Sequence, residues 1–286
     1  MTRVDQFESV FRSATRTVFE PEPVEIDSVL IVSDSDGSAS EEFAARSRSF
    51  LNILDQHENL RWVTVSGSDF LTVPDLLDRV ETERPGLICT HRHLHSESWR
   101  WPYTLGEYVD VLTQVTTTPV LVMPHPERPE FQELAGRRPR SVMAITDHLT
   151  GDNRLVNYAA HVTQPGGRLL LSHVEDDAIF ERYMEVIAKI SGIDTDLARQ
   201  EIKDRLLKDP HDYIESCKEG LARSAPEITV EAMVTSGHHI RVYRRLIEEH
   251  EVDLLVMNTK DEDQLAMHGL AYPLAIELRA VPLLML

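Results

Sequence analysis

The chain has 286 residues, 42% of them hydrophobic, enough for two ordinary domains with a buried core each. Its formal net charge of −19 repels phosphate backbones and anionic lipid, which argues against nucleic acid and membrane surfaces as partners. No apolar run approaches the roughly 18 residues of a membrane span, and the two cysteines, Cys89 and Cys217, offer no disulfide framework, so a reducing cytoplasm is the expected setting.

The N-terminus lacks the apolar core of a signal peptide, and Asp5 and Glu8 do not suit a transit peptide. Phe7, Val10, Phe11, Ala14 and Val18 fall at helical spacing, so residues 1–25 are expected to hold a short amphipathic helix packed on the body and ended by Pro21 and Pro23. Ser28 to Asp34 then reads as a near-continuous apolar run closed by an acid, the pattern of a strand buried on both faces of a parallel sheet. A turn at Asp36-Gly37-Ser38 and an amphipathic helix, Glu41 to Leu54, follow. Further on come a strand at Arg61 to Val65, a helix at Val73 to Val80, and a strand at Leu87 to Thr90. After a polar loop, Gly106 opens a helix, and twelve residues separate it from Pro119 and the strand Val120 to Met123.

Residues 125–140, rich in Pro and Arg, read as a linker with one helical turn around Phe131 and Leu134. The plan then repeats. Ser141 to Asp147 is again an apolar run ending in an acid, followed by Thr150-Gly151-Asp152 and a helix at Arg154 to Val162. Leu169 to Val174 is a strand, and a long helical stretch runs to Arg223. Within it Ile179, Tyr183, Val186, Ile187 and Ile190 share a face, and Pro210 is expected to break it into at least two helices. Ile228 to Val234 is a strand and Ile240 to Glu249 a helix. Finally Leu254 to Met257, a polar loop, Gly269, twelve residues, Pro282 and Leu283 to Leu286 repeat the frame seen at Leu87 to Met123. The fold class is therefore α/β: two doubly wound parallel-sheet domains in tandem, residues 26–124 and 141–286, the first reduced by one strand and one helix.

Those matching segments resemble the universal stress protein family in its tandem two-domain form. They are Val29 to Asp34, Val142 to Asp147, Val252 to Met257, Gly269, and Val281 to Leu286, with Gly86 to Thr90 and Gly106 to Met123 in the first half. The resemblance implies a Rossmann-like fold of the adenine nucleotide alpha hydrolase type. It also implies that the final strands of the two halves, Val120 to Met123 and Leu283 to Leu286, lie against each other.

Nucleotide-binding members carry a loop of the form Gly, two residues, Gly, nine residues, Gly, then Ser or Thr, whose amides and hydroxyl cradle phosphates. Here the first two glycine positions hold Asn258 and Asp261 in the second half and His91 and Leu94 in the first, and Leu270 and Glu107 replace the hydroxyl residue. Asp261, Glu262 and Asp263 put carboxylates where anions would sit, and Glu107 does the same at the first site. ATP or AMP is thus not expected as a cofactor. If a nucleoside binds at all, the resemblance points to Asp34, Asp147, Asn258 and Gly269. The alternative for Asp34 and Asp147 is a strand-end acid accepting hydrogen bonds from its own turn.

His91, His93 and His95 would point the same way in an extended chain, and three imidazoles suit zinc or copper, with His125 near. The alternative is a polar loop freed of a phosphate role. Trp99, Trp101 and Tyr103 are expected to pack as a plug over the sheet end. His238-His239 reads as a helix start. No Ser-His-Asp or Cys-His arrangement, Walker loop or G-x-S-x-G is present. The expected function is a non-enzymatic stress-response role exerted through an unidentified protein partner. The alternatives are a metal or small-molecule sensor at His91–His95, or a nucleotide-hydrolysing enzyme of the same class.

Overall fold

The computed structural model describes residues 17–56, 60–101, 103–146, 149–259 and 271–286. The amphipathic segment before residue 17, with Phe7 to Ala14, lies outside them. From Thr17 to Asp27 the chain is irregular, with Phe19 buried against Gly220.

Nine strands form one sheet: β1 (Ser28–Val32), β2 (Arg61–Val65), β3 (Leu87–His91), β4 (Val120–Met123), β5 (Ser141–Ile145), β6 (Arg168–Asp176), β7 (Thr229–Gly237), β8 (Leu254–Met257) and β9 (Leu283–Met285), in the order β2-β1-β3-β4-β9-β8-β5-β6-β7. All neighbours run parallel except β4 and β9, which pair antiparallel with Leu121 opposite Leu284. The order of the second set, β7-β6-β5-β8-β9, is matched in the first by β2-β1-β3-β4, so the counterpart of β7 is the missing strand.

Helices cover both faces, as an all-apolar parallel strand requires. They are α1 (Gly37–Phe50), α2 (Val73–Glu83), α3 (Glu107–Val115), α4 (Pro129–Glu133), α5 (Asn153–Val162), α6 (Asp177–Ile187), α7 (Thr195–Ser224), α8 (His239–Glu249) and α9 (Ala271–Glu277). Alternation along each strand divides the core in two. Val29, Ile31, Val142, Ala144, Leu254 and Val256 enter one core with residues of α1, α5 and α7. Leu30, Val32, Met143, Ile145, Leu255 and Met257 enter the other with residues of α2, α3, α8 and α9. The antiparallel join keeps this division: Leu121 and Leu284 share the first core, Val120 and Met285 the second.

Two expectations are corrected, the break at Pro210 and the aromatic plug. Pro210 does not break its helix but lies buried inside the 30-residue α7. The break falls earlier, at Gly192 with its φ of +95°, after which the Asp194 carboxylate accepts from the Asp196 and Leu197 N–H groups and starts α7. The shared face of Ile179, Tyr183, Val186 and Ile190 turns to solvent, and Phe180 and Met184 turn inward. Trp101 and Tyr103 are 60% and 72% exposed rather than a plug, because Phe70, Leu94, Leu105 and Tyr108 already fill the core beneath that end of the first half.

Leu284 is buried at the join, so Leu284→Ala is expected to lower unfolding stability by about 2–5 kcal/mol in urea titrations. A loss under ~1 kcal/mol would show that the join is loosely packed.

Candidate functional site

In the first half, chemistry-bearing side chains collect beyond the carboxyl ends of β1, β3 and β4. Asp34 follows β1. Its Oδ1 lies 3.1 Å from His91 Nε2, at the end of β3, and its Oδ2 accepts from the His95 N–H at 2.9 Å. Asp34 therefore takes these partners from the end of β3 and from the loop that follows it, His95 being 61 residues away, rather than from its own turn. Gly67 makes room for it: a Cβ there would meet the Asp34 carbonyl oxygen at 2.1 Å. His91 is fully buried, with its Nδ1 3.0 Å from the Arg92 carbonyl and its ring packed edge-on against Phe43 and His125, both at 5.1 Å.

Beyond His91 the chain turns. His93 and His95 have φ of +59° and +52°, so the extended geometry that would align the three imidazoles does not occur. His95 sits by the Phe70 carbonyl at 3.0 Å and against the Phe70 and Tyr108 rings. His93 is buried against Gly106, whose φ is +97° and where a Cβ would meet the His93 Cα at 2.7 Å. Gly106 thus admits the close approach of the His93 backbone. Among the described residues no group of three or more His, Cys, Asp or Glu is arranged to hold a metal ion.

The residue between two of these histidines does something the sequence did not indicate. Arg92 is only 2% exposed. Its Nη1 donates to the Ala275 carbonyl and its Nη2 to the Leu278 carbonyl at 2.9 Å, at the end of α9 in the other half of the chain. A guanidinium suits this place because the last carbonyls of a helix lack partners and carry the negative end of its dipole. Burial, with Arg279 and Arg128 nearby, brings its pKa down to about 9, still charged at neutral pH. Arg92→Met, which keeps an apolar stem but leaves both carbonyls without this donor, is expected to cost roughly 2–4 kcal/mol of stability in urea titrations, with Arg92→Lys recovering part.

Two of the cluster's histidines, His93 and His125, are held neutral. Burial and the nearby Arg92 and Arg279 charges lower His93 to about 4, against a small opposing pull from the Thr104 backbone. Burial and the neighbouring His91 lower His125 to about 3, although Asp34 pulls the other way. Burial by itself would raise Asp34, but the hydrogen bond and charge of His91, the His95 N–H and His125 outweigh it and hold Asp34 at about 2. On α3, burial alone raises Asp110 to about 6.

The signs follow from linkage. A histidine lowered on folding stabilises fully above its unfolded value near 6.5 and loses that stability as pH falls toward its folded value. Asp34 adds a loss below about pH 4. Asp110 has the opposite sign: it costs stability above pH 6, and the cost disappears as pH falls from 6 to 4. His125→Asn, which leaves an acceptor for the Glu127 N–H, is expected to lose less stability than wild type between pH 6.5 and 4. Asp110→Asn is expected to lose more. Denaturant midpoints across that range check both.

The second half is arranged differently. Asp147 and Gly269, with Asp261 to Asp263, lie outside the described residues. Asn258 is occupied: its Nδ2 donates to Asp152 Oδ2 at 2.5 Å, and Asp152 Oδ1 accepts from the Leu155 N–H to cap α5. Beyond the ends of β5, β6 and β7, a cleft of about 950 Å³ is lined by Leu149, Val174, Ile179, Tyr183, Leu206 and Ile240, together with the carboxylates of Glu175, Asp176 and Asp209 and the imidazoles of His173, His238 and His239. His239 Nε2 lies 2.7 Å from the Val174 carbonyl, and His238 takes the N-cap position of α8.

Two solved structures share this architecture along nearly the whole chain. One is a universal stress protein from Archaeoglobus fulgidus DSM 4304, at 14% identity over 91% of this chain and 98% of that one, with a TM-score of 0.52. The other is a putative universal stress protein from Pseudomonas aeruginosa UCBPP-PA14, at 13% identity over 91% and 93%, with a TM-score of 0.50. No family model matches the sequence, and no curated protein matches it. The class is thus the doubly wound α/β fold with a mostly parallel sheet. Within it, the chain has the fold of solved universal stress proteins. No described helix is long and apolar enough to cross a membrane.

Proposed function

We propose that the chain is a non-enzymatic tandem universal stress protein with a regulatory or protective role, in which neither half binds ATP in the family's usual way. One chain would then supply both halves of what single-domain members assemble as dimers, and its role would be exerted through a protein partner in the cytoplasm. The observation that carries this reading is the buried Arg92. It stands in the loop where nucleotide-binding members cradle phosphate, yet its guanidinium is committed to the α9 carbonyls of the other half. His93 occupies the space at Gly106, and Asp34 is engaged by His91 and His95. A phosphate entering this loop would have to displace that packing and would meet Glu107 at the start of α3. The reducing setting agrees with two free, buried thiols, each pushed up to about 12 by burial.

The second-half cleft favours one further reading, an uncharged or weakly polar small molecule held without phosphates. Its walls are largely apolar, and its polar groups include the Glu175, Asp176 and Asp209 carboxylates, which repel an anion. A hydrolase reading has less behind it, since phosphoryl chemistry needs positioned donors and neutralised charge, and acids stand at both loops.

A thermal-shift series with ATP–Mg²⁺, ADP, AMP and adenosine tests the proposal. No shift with ATP–Mg²⁺ is expected. Stabilisation by ATP–Mg²⁺ above ~1 kcal/mol, the size reached at several times a dissociation constant, would overturn it. A shift with adenosine alone would support the phosphate-free cleft.

A further inference from the structure

β7 closes the sheet: β6 is its strand neighbour on one side, and no described strand pairs its other edge. The strand is nine residues long, and Val230 to Gly237 are half-buried without interruption. The Thr229 N–H donates to the Gly167 carbonyl on the β6 side. Because a parallel ladder alternates, Glu231, Met233 and Thr235 also address β6, and the backbone groups of Val230, Ala232, Val234 and Ser236 point outward.

Open edges of this kind are normally blunted by Pro, Lys, a bulge or a short span. β7 has none of these, and its register with β6 is unbroken over all nine residues. Its one charged residue, Glu231, lies 4.0 Å from Arg168 of β6. The opposite edge, β2, is only five residues long, starts at Arg61, which pairs with Glu83, and carries the Arg48 guanidinium over Trp62. Among the described residues, one edge is guarded and the other is not. Next to the open edge, α6 packs on β6 and β7 and turns Ile179, Tyr183 and Val186 to solvent.

We propose that β7 is a self-association edge: two copies of the chain pair β7 antiparallel about a twofold axis at Met233, making their two sheets continuous. The chain's own composition of this edge argues for a second copy as the occupant. With Met233 opposite Met233 of the second copy, Val230 faces Ser236 and Ala232 faces Val234. Every outward residue then meets an outward residue, as an isologous contact requires. Glu231 meets Thr235 and not another acid. The chain already joins sheet ends this way, at β4 and β9. A nine-residue ladder spans about 30 Å, and the exposed α6 face supplies apolar area toward the roughly 1,000 Å² a specific interface needs. The charge of −19 on each copy opposes the pairing, so added salt strengthens it.

Sedimentation velocity of the full chain at micromolar concentration, in low and in ~1 M salt, reads the proposal directly. A dimer favoured by salt is expected. Val234→Pro removes an outward N–H while leaving the β6 ladder, and is expected to yield a monomer with wild-type circular dichroism. Should that variant fail to fold, Met233→Cys gives an independent readout. The twofold sets the two residues as a close non-hydrogen-bonded pair, so mild oxidation is expected to give a covalent dimer, with the wild type, whose Cys89 and Cys217 are buried, as the blank. A wild-type chain that stays monomeric at both salts, or a dimer that persists in folded Val234→Pro and leaves Met233→Cys uncross-linked, overturns the proposal.

Discussion

The structure depends on the antiparallel pairing of β4 and β9. Both strands are short, apolar and buried throughout, and neither can end a sheet in water at reasonable cost. Each supplies the other's missing neighbour. Because the register sets Leu121 against Leu284 on one face and Val120 against Met285 on the other, the two cores continue across the join. The remaining crossings lean on that frame. Arg92 reaches Ala275 and Leu278 only because the join brings α9 beside the loop after β3. Elsewhere the segment before β1 crosses to the second half, where the Phe19 N–H donates to Ser216 Oγ and the Glu22 N–H to Asn157 Oδ1.

The frame was legible in the sequence wherever burial is two-sided. Strands such as Val29 to Val32, Val142 to Ile145 and Leu254 to Met257 must be apolar at every position, so their runs stand out. The repeated spacing from Gly106 to Pro119 and from Gly269 to Pro282 marked a frame used twice. What stayed hidden depends on long-range context. Helical periodicity in α6 identified an apolar face but not which way it turns, and the core is served there by Phe180 and Met184. Pro210 carries a local cost to its helix, which the long packed α7 absorbs. The candidate site was legible in its residue types only. Asp34, His91 and His125 do meet, but positive φ at His93 and His95 scatters the other imidazoles, and no one-dimensional pattern announces it. Arg92 left no trace, since its partners lie 183 and 186 residues away.

The two halves use equivalent ground for different chemistry. In the first, the end of the sheet is packed with a carboxylate, neutral imidazoles and a guanidinium turned toward the neighbouring helix. In the second, Asn258 is drawn to the α5 cap, and a largely apolar cleft remains open beyond the ends of β5, β6 and β7. A duplicated frame therefore fixes where loops begin and end while leaving their contents free to diverge, as expected when function resides in sites grafted on a fold.

The join also sets a timetable for the ribosome. β4 leaves the synthesis machinery about 160 residues before β9. At ~5–20 residues per second that interval is roughly 8–30 s, while chain collapse takes microseconds. Throughout it, the nascent first half holds an apolar strand paired only with β3 on one side, and a guanidinium with no helix end to enter. The half that is made first thus cannot mature first. Its completion waits for the final strand, and a chain stalled in between would present an aggregation-prone edge that a chaperone must shield.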